Sequence, residues 1–437
     1  MPAPRPSVHP DLRRPRRAEQ AVYRVRIDLD NARPPIWRRL DLRSDLPLDV
    51  VHQALQAAFG WEDRHLYRFS LGGSAFDSDS QVFLCQYDAE NPEIEGDEDA
   101  LPAAQVHLDE ILQNPGDQLQ YVYDYGDNWD LTLTLEEVAT ALDEVPAAAL
   151  VDGERAAPPE DCGGLTYAED LARVLDDPAR FNAVAIRQAL EGPLFAMFAT
   201  GIDRRAIDLI RRLQGGPVGD SLSGRAAQLI STSTTVDEPA EYLSAYLWFL
   251  NRAGNAGIPL TAAGYLKPAD VEAASKVVPA MGDWYGAQNR EVNCIPLLEF
   301  RESLQSMGLL RKHKGTLLLT RAGAGAQRDP AALWDHLAAR LSPANDDTFE
   351  AHAGFLLLIY AAGAQDGSLP LDDVAAALNE LGWRHPDHSP VSSYDLYRLP
   401  TYSALINVAK HPRSRADQRR ISSGASALAR AALRHQH

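Results

Sequence analysis

Cysteine and lysine are scarce in this chain, long apolar runs are absent, and each shortage excludes something. Cys85, Cys162 and Cys294 are its three cysteines, odd in number and far apart in 437 residues. They supply neither a disulfide framework nor paired zinc ligands, and fit reduced thiols in a cytoplasmic protein. No stretch approaches the roughly 18 consecutive apolar residues of a spanning helix, so no membrane association is expected. The arginines near the N-terminus are followed by no apolar core of the kind a secretory leader carries. A Walker phosphate loop, a nucleophile elbow, an HExxH pair and paired CxxC motifs are all missing. Gly72-Gly73 and Gly215-Gly216 stand alone and read as turns.

What the chain does have is acid, unevenly placed. The formal net charge is −19, with 45% apolar and 24% charged residues, a globular composition for two or three domains. Between Asp77 and Asp177 there are 27 Asp and Glu against two basic residues, Arg155 and Arg173. Such a surface repels phosphate backbones and attracts cations or basic partners. It equally serves as a solvated, solubilising face.

Residues 1–20 are rich in Pro and Arg without apolar periodicity, which predicts a disordered basic tail. Order begins where Tyr23, Val25, Ile27 and Leu29 alternate with charged residues, the period of a half-buried strand. Pro47 opens a helix that runs to Phe59 and is stopped by Gly60. Leu48, Val51, His52, Leu55 and Phe59 form its buried stripe, so His52 reads as a hydrogen-bonded core residue. Leu119 to Leu135 predicts a β-hairpin closed by Gly126-Asp127-Asn128. Acidic loops are expected at Glu90–Asp99 and Asp152–Gly164, and a short helix between Leu165 and Leu175. The expected first domain is 21–200, an acidic α+β domain of mostly antiparallel sheet with helices.

The second half is expected to be mainly α-helical. Helices start at Pro239, Pro268 and Pro296, the last ended by Gly308, and 309–320 reads as a two-stranded turn. Helices followed by such a hairpin predict a winged-helix-like domain over 220–342. A C-terminal helical domain with a basic end is expected over 345–437. The wing tip carries Arg311, Lys312, His313 and Lys314, two of the five lysines of the chain. Basic wing tips contact phosphates, so DNA is a possible partner of this half. Against major-groove reading, the preceding helix bears Glu299 and Glu302 with Arg301 between them. The chain end adds Lys410, Arg413, Arg415, Arg419, Arg420, Arg430 and Arg434 against Asp417. These groups suit either DNA or the acidic domain of a second copy, giving self-association.

Five ordered blocks over roughly residues 20–200 resemble the plasmid pRiA4b open-reading-frame-three family. They are Pro34-Pro35-Ile36-Trp37-Arg38-Arg39, Leu48 to His52, Gly60-Trp61-Glu62-Asp63-Arg64-His65-Leu66, Tyr123 to Trp129, and Gly153 to Gly164. The resemblance implies an α+β domain without an established activity, in a family that includes passenger proteins of mobile elements. Family members carry histidine where this chain has Tyr67 and Leu131, so any chemistry resting on those two imidazoles is lost here.

The site candidates cluster in those last blocks. Asp124, Asp127 and Asp130 could hold a divalent cation (Mg, Mn or Ca), with His65 as neighbour and Glu160-Asp161 close by. Alternatively Asp127 caps the hairpin amides and Trp129 packs on Trp37 or Trp61. Cys162 is a nucleophile only with a base nearby, and His52, His65 and His107 are the histidines available. Asp127, Glu160, Cys162 and His65 are therefore the catalytic candidates, and no cofactor beyond a metal is expected. Asp124, Asp127, Trp129, Arg155, Glu160 and Asp161 make the candidate partner surface. The leading expectation is a non-enzymatic adaptor linked to mobile elements or DNA-related processes. A metal-dependent hydrolase or nuclease is the alternative.

Overall fold

The computed structural model describes residues 11–434 except 78, 93–96, 98–99, 142–144, 232–233, 283, 286–287, 345–346, 365 and 415–419. The chain divides into two compact units, Met1–Ala199 and Thr200–His437. Their charge differs sharply. The first holds 37 Asp and Glu against 17 Lys and Arg, a net of −20, and the second 24 against 25.

The first unit is built on an eight-stranded sheet. Its strands are β1 (Ala21–Leu29), β2 (Ile36–Arg43), β3 (Tyr67–Leu71), β4 (Gln81–Leu84), β5 (Leu101–Pro102), β6 (Gln118–Tyr123), β7 (Trp129–Thr140) and β8 (Ala148–Glu154). They lie in the order β5-β4-β3-β6-β7-β1-β2-β8, antiparallel throughout except for β4 with β5. The alternation expected of β1 is observed, with Tyr23, Val25 and Ile27 fully buried. On the opposite face Arg24 pairs with Asp41 and Glu137, and Arg39 with Glu136. These cross-strand pairs fix register more than they add stability, because each is partly exposed.

Among the described residues, α-helices accompany the sheet: α1 (Leu48–Phe59), α2 (Gln86–Glu90), α3 (Leu108–Ile111), α4 (Ala168–Leu171), α5 (Ala183–Leu190) and α6 (Pro193–Ala199). Helix α1 ends as its sequence predicts, with Gly60 in the left-handed region donating to Gln56 O. His52 is fully buried, its Nδ1 2.8 Å from the Tyr121 hydroxyl and its Nε2 2.7 Å from Asp63 Oδ1. It also stacks on Tyr67 at 3.6 Å. The imidazole is a core hydrogen-bonding group, as its place on the apolar stripe implied.

Of the segment expected as a basic tail, residues 1–10 lie outside the described residues, and 11–16 are hydrogen-bonded to the sheet unit. Arg14 N donates to Glu110 O at 2.8 Å, and its guanidinium meets Asp117 Oδ2 at 2.6 Å. Burial pushes the Asp117 carboxyl up, but Arg14 and the amides of Gln113 and Asn114 outweigh it and hold it at about 2. A folded-state value below the unfolded one means the stabilisation is complete above the unfolded carboxylate range and is lost as pH falls through about 2. We expect Asp117→Asn to cost about 2 kcal/mol at neutral pH and to flatten the loss of stability between about pH 4 and 2. Urea titrations across that range read it, and an unchanged acid slope would count against the anchor.

The second unit is mostly helical, as expected. It opens with α7 (Arg204–Leu213), α8 (Gly219–Ser231), α9 (Pro239–Tyr242) and α10 (Ser244–Ala253). Then follow β9 (Ile258–Pro259), α11 (Pro268–Ser275), α12 (Ile295–Ser306), β10 (Leu310–His313) and β11 (Thr316–Leu319). The remaining helices are α13 (Arg321–Ala326), α14 (Pro330–Leu341), α15 (Phe349–Ala362), α16 (Leu371–Glu380), α17 (Ser393–Leu396), α18 (Pro400–Ile406) and α19 (Ser423–Leu433). Strands β10, β11 and β9 form a small antiparallel sheet. Helix α12 packs on α18 and α14 on α19, so elements from both sides of residue 343 share one compact unit. Helix α15 is buried along its whole length from Ala351 to Ala362. That all-round burial explains why its sequence is apolar on every face. Among the described residues no helix is long and apolar enough to cross a membrane.

Candidate functional site

Three loops meet at one end of the β6–β7 hairpin. One is 60–66, after α1; the second is the hairpin turn 124–128; the third is 155–167, after β8. Glu160 clasps the first to the third. Its carboxylate accepts from Glu62 N at 2.9 Å and from the Tyr123 hydroxyl. Trp61 Nε1 donates to Pro158 O at 3.0 Å, and Trp61 stacks against both Tyr123 and Trp129. Asp127 ties the turn to the third loop by accepting from Gly163 N at 3.1 and 3.0 Å. Gly164 adopts φ +70°, and a Cβ there would sit 2.7 Å from Asp127 O. This close approach is what the paired glycines permit.

The clasp brings His65, Asp124 and Asp161 together. His65 Nε2 lies 3.1 Å from Asp161 Oδ1 and 3.5 Å from Asp124 Oδ2, and all three ligand atoms fall within 4.8 Å of one another. Asp124 is buried and Asp161 exposed, so the group opens to solvent on one side. Asp124 is the residue that closes the turn: its Oδ1 accepts from Gly126 N at 3.0 Å and Asp127 N at 3.3 Å. Among the described residues, five of the eight non-glycine residues at positive φ, Asp63, Asp124, Asn128, Arg155 and Asp161, lie in these loops. Strained backbone held in place by surrounding bonds gathers at functional sites.

The other candidates sit elsewhere. Asp130 lies on β7, where Asn128 Nδ2 donates to it at 2.7 Å, and burial raises its pKa. It does not join Asp124 and Asp127 around one point. Glu160 is spent on the clasp. Trp129 is 1% exposed, so it is core and not contact surface. Burial pushes the Cys162 thiol up, with Asp127 and Asp161 adding to the rise, which keeps it protonated and weakens it as a nucleophile. Of the acidic loop Glu90–Asp99, residues 93–96 and 98–99 lie outside the described residues. Asp97 is buried and holds Arg68 at 2.8 Å.

In the second unit Arg311, Lys312, His313 and Lys314 are all exposed, at the tip of the β10–β11 hairpin. Several other basic groups of this unit have partners within it. Arg301 on α12 is 4% exposed and meets Glu291 at 2.6 Å. Arg430 donates to Ala362 O and Arg434 to Leu229 O, and Lys410 pairs with Glu241. Arg415 and Arg419 lie outside the described residues. A cavity of about 1420 Å³ is lined by Trp284, Trp383, Tyr394, Tyr397 and Tyr402, among others. Two of the polar groups there are committed to folding: Arg384 is bound to the carbonyls of Asn379 and Trp383, and Asp395 caps α17.

The first unit is thus an α+β domain whose candidate site is made by loops at one end of a mixed sheet. Residues 21–204 match the model of the family described as plasmid pRiA4b ORF-3-like protein. The family resemblance of the sequence blocks is thereby borne out. Uncharacterized protein y4hQ of Sinorhizobium fredii (strain NBRC 101917 / NGR234) is 29% identical over 160 residues, which span 36% of this chain and 75% of that protein. A crystal structure of a protein of unknown function, MM3350 from Methanosarcina mazei Go1, shares 23% identity. It covers 38% of this chain and 97% of its own, with a TM-score of 0.30.

The sequence places His65, Asp124 and Asp161 in one wider constellation with Asp127, Asp130 and Glu160, from which the fold gathers these three. The signal was there in part: a histidine in the block after α1 and aspartates in the two loop blocks. The pairing across 96 positions from His65 to Asp161 depends on the Glu160 clasp, which no local pattern encodes.

Proposed function

We propose that the protein is a two-part binding protein whose second unit contacts nucleic acid through a winged-helix-like module. The element order α10-β9-α11-α12-β10-β11, with four exposed basic residues at the tip of the final hairpin, is the observation that carries this reading. The wing would meet phosphates. Helix α12 is a poor base reader, since its arginine is locked to Glu291 and its exposed Glu302 repels the backbone. Binding is therefore expected to be independent of base sequence. The acidic first unit, with Asp127, Arg155 and Asp161 in its loops, would serve a protein partner or the basic groups of a second copy.

An electrophoretic shift assay on duplex DNA tests this. We expect retardation at low salt, with the logarithm of affinity falling about threefold as steeply as that of salt for roughly three neutralised phosphates. Arg311→Ala with Lys312→Ala and Lys314→Ala should abolish it. No retardation at low salt, or retardation unchanged in the triple variant, defeats the reading. A second reading, a metal-dependent hydrolase, is favoured by the meeting of His65, Asp124 and Asp161 beside an open face.

A further inference from the structure

We propose that His65 Nε2, Asp124 Oδ2 and Asp161 Oδ1 form a binding site for a divalent transition ion of the zinc or manganese class. The three atoms come from three separate loops, so their meeting is a product of the fold and not of one acidic run. Ligands about 2.1 Å from a tetrahedral ion stand about 3.4 Å apart. The measured separations of 3.1 and 3.5 Å from the imidazole nitrogen to the two carboxylates match that spacing.

Two further observations point to a cation. The atom Nε2 of His65 is itself shielded from solvent and lies at ion-pair distance from both carboxylates, without a well-aligned hydrogen bond to either. In its Nδ1–H tautomer this imidazole would present the Nε2 lone pair to the point that both carboxylates share. Meanwhile the two oxygens of Asp124 have separate tasks. Oδ1 is held by the amides of Gly126 and Asp127, which leaves Oδ2 turned toward His65. Fixing a ligand through its other atom is how outer partners orient metal-binding carboxylates.

The donor set also selects the ion. One imidazole with two carboxylates suits zinc or manganese, whereas calcium and magnesium prefer oxygen alone. This shifts the cation from the alkaline earths toward the transition series. Three protein ligands with Asp161 on the exposed side leave coordination positions for water or for an anionic partner group.

Calorimetric titration of the full chain with zinc, manganese, magnesium and calcium chlorides decides the matter, with cobalt as an optical probe of nitrogen ligation. The expected result is one saturable zinc or manganese site per chain, with magnesium and calcium at least tenfold weaker. Asp161→Asn, an exposed position that leaves the fold intact, should weaken binding at least tenfold, since even outer partners of ligands cost roughly 10–100-fold. His65→Gln should do the same and alter the cobalt spectrum, while Glu169→Gln, exposed and outside the site, should change nothing. The site is refuted by an absence of saturable binding, by binding indifferent to both ligand substitutions, or by magnesium or calcium as tight as zinc. The hydrolase reading rests on this site and fails separately. Metal bound without turnover of a nitrophenyl phosphodiester removes the hydrolase and leaves the site, and no metal removes both. The nucleic-acid reading is untouched by either result.

Discussion

Replacing Arg38 by methionine is expected to lower the stability of the first unit by about 3–5 kcal/mol. The side chain is 3% exposed and bonded to backbone carbonyls: Nε to Ala58 O at 2.8 Å, and one terminal nitrogen to Trp37 O at 2.8 Å and Glu154 O at 3.0 Å. Its guanidinium lies 5.0 Å from the Phe59 ring centre and 5.1 Å from that of Phe181. Ala58 O belongs to the last turn of α1, where carbonyls lack helical partners and the helix dipole favours a cation. One residue thus caps the main helix and secures the edge strand β8. Burial pushes the guanidinium down to about 10, a sign of how much the charged form is disfavoured away from water. Methionine preserves the apolar stem, so the loss isolates the polar role: three carbonyls left unsatisfied, at about 1–3 kcal/mol each before relaxation. Lysine, lacking the fork, should recover only part of it. Hydrogen exchange on the full chain reads the two units apart. A change under about 1 kcal/mol at the β2 and β8 amides would show that these carbonyls find water instead.

The neighbouring Arg39 shows what a sequence can and cannot say about such a residue. Arg38 and Arg39 are chemically identical and adjacent, and the period of two assigns them to opposite faces. Only the assembled sheet reveals that the first enters the core while the second meets Glu136 at 2.6 Å on the other side. Local features were legible throughout. The alternation in β1, the stripe and glycine stop of α1, and the hairpin with its Gly-Asp-Asn turn follow from short-range sterics and burial. The turn carboxylate was not. Asp124 precedes that turn and Asp127 lies within it, and it is Asp124, not Asp127, that accepts the turn amides. Asp127 is thereby free to reach Gly163, 36 positions away. The candidate site was half visible for the same reason. Its residue types stand in recognisable blocks, while their convergence rests on long-range bonds from Glu160, Trp61 and Asp127.

In the second unit the largest effect is expected from Glu291→Ala, a loss of about 3–5 kcal/mol. Glu291 is 1% exposed and has two partners, the Arg301 guanidinium at 2.6 Å and Leu266 N at 2.7 Å. Removing it strands a buried cation on α12 and a buried amide before α11. Glu302, 3.6 Å from Arg301 but 60% exposed, can compensate only weakly. If desolvation is the source of the cost, replacing both partners by methionine should recover most of it, leaving the amide as the main residual loss. Denaturant titrations of the two single variants and the double one give the coupling directly, and additive losses would mean the pair is not a unit. The same double variant discriminates between two views of α12. With the pair structural and the phosphate contact confined to Arg311, Lys312 and Lys314, it should retard DNA as the parent protein does. Were retardation lost while the wing and the fold stayed intact, Arg301 would be a nucleic-acid contact released from Glu291 on binding, and α12 a reader after all.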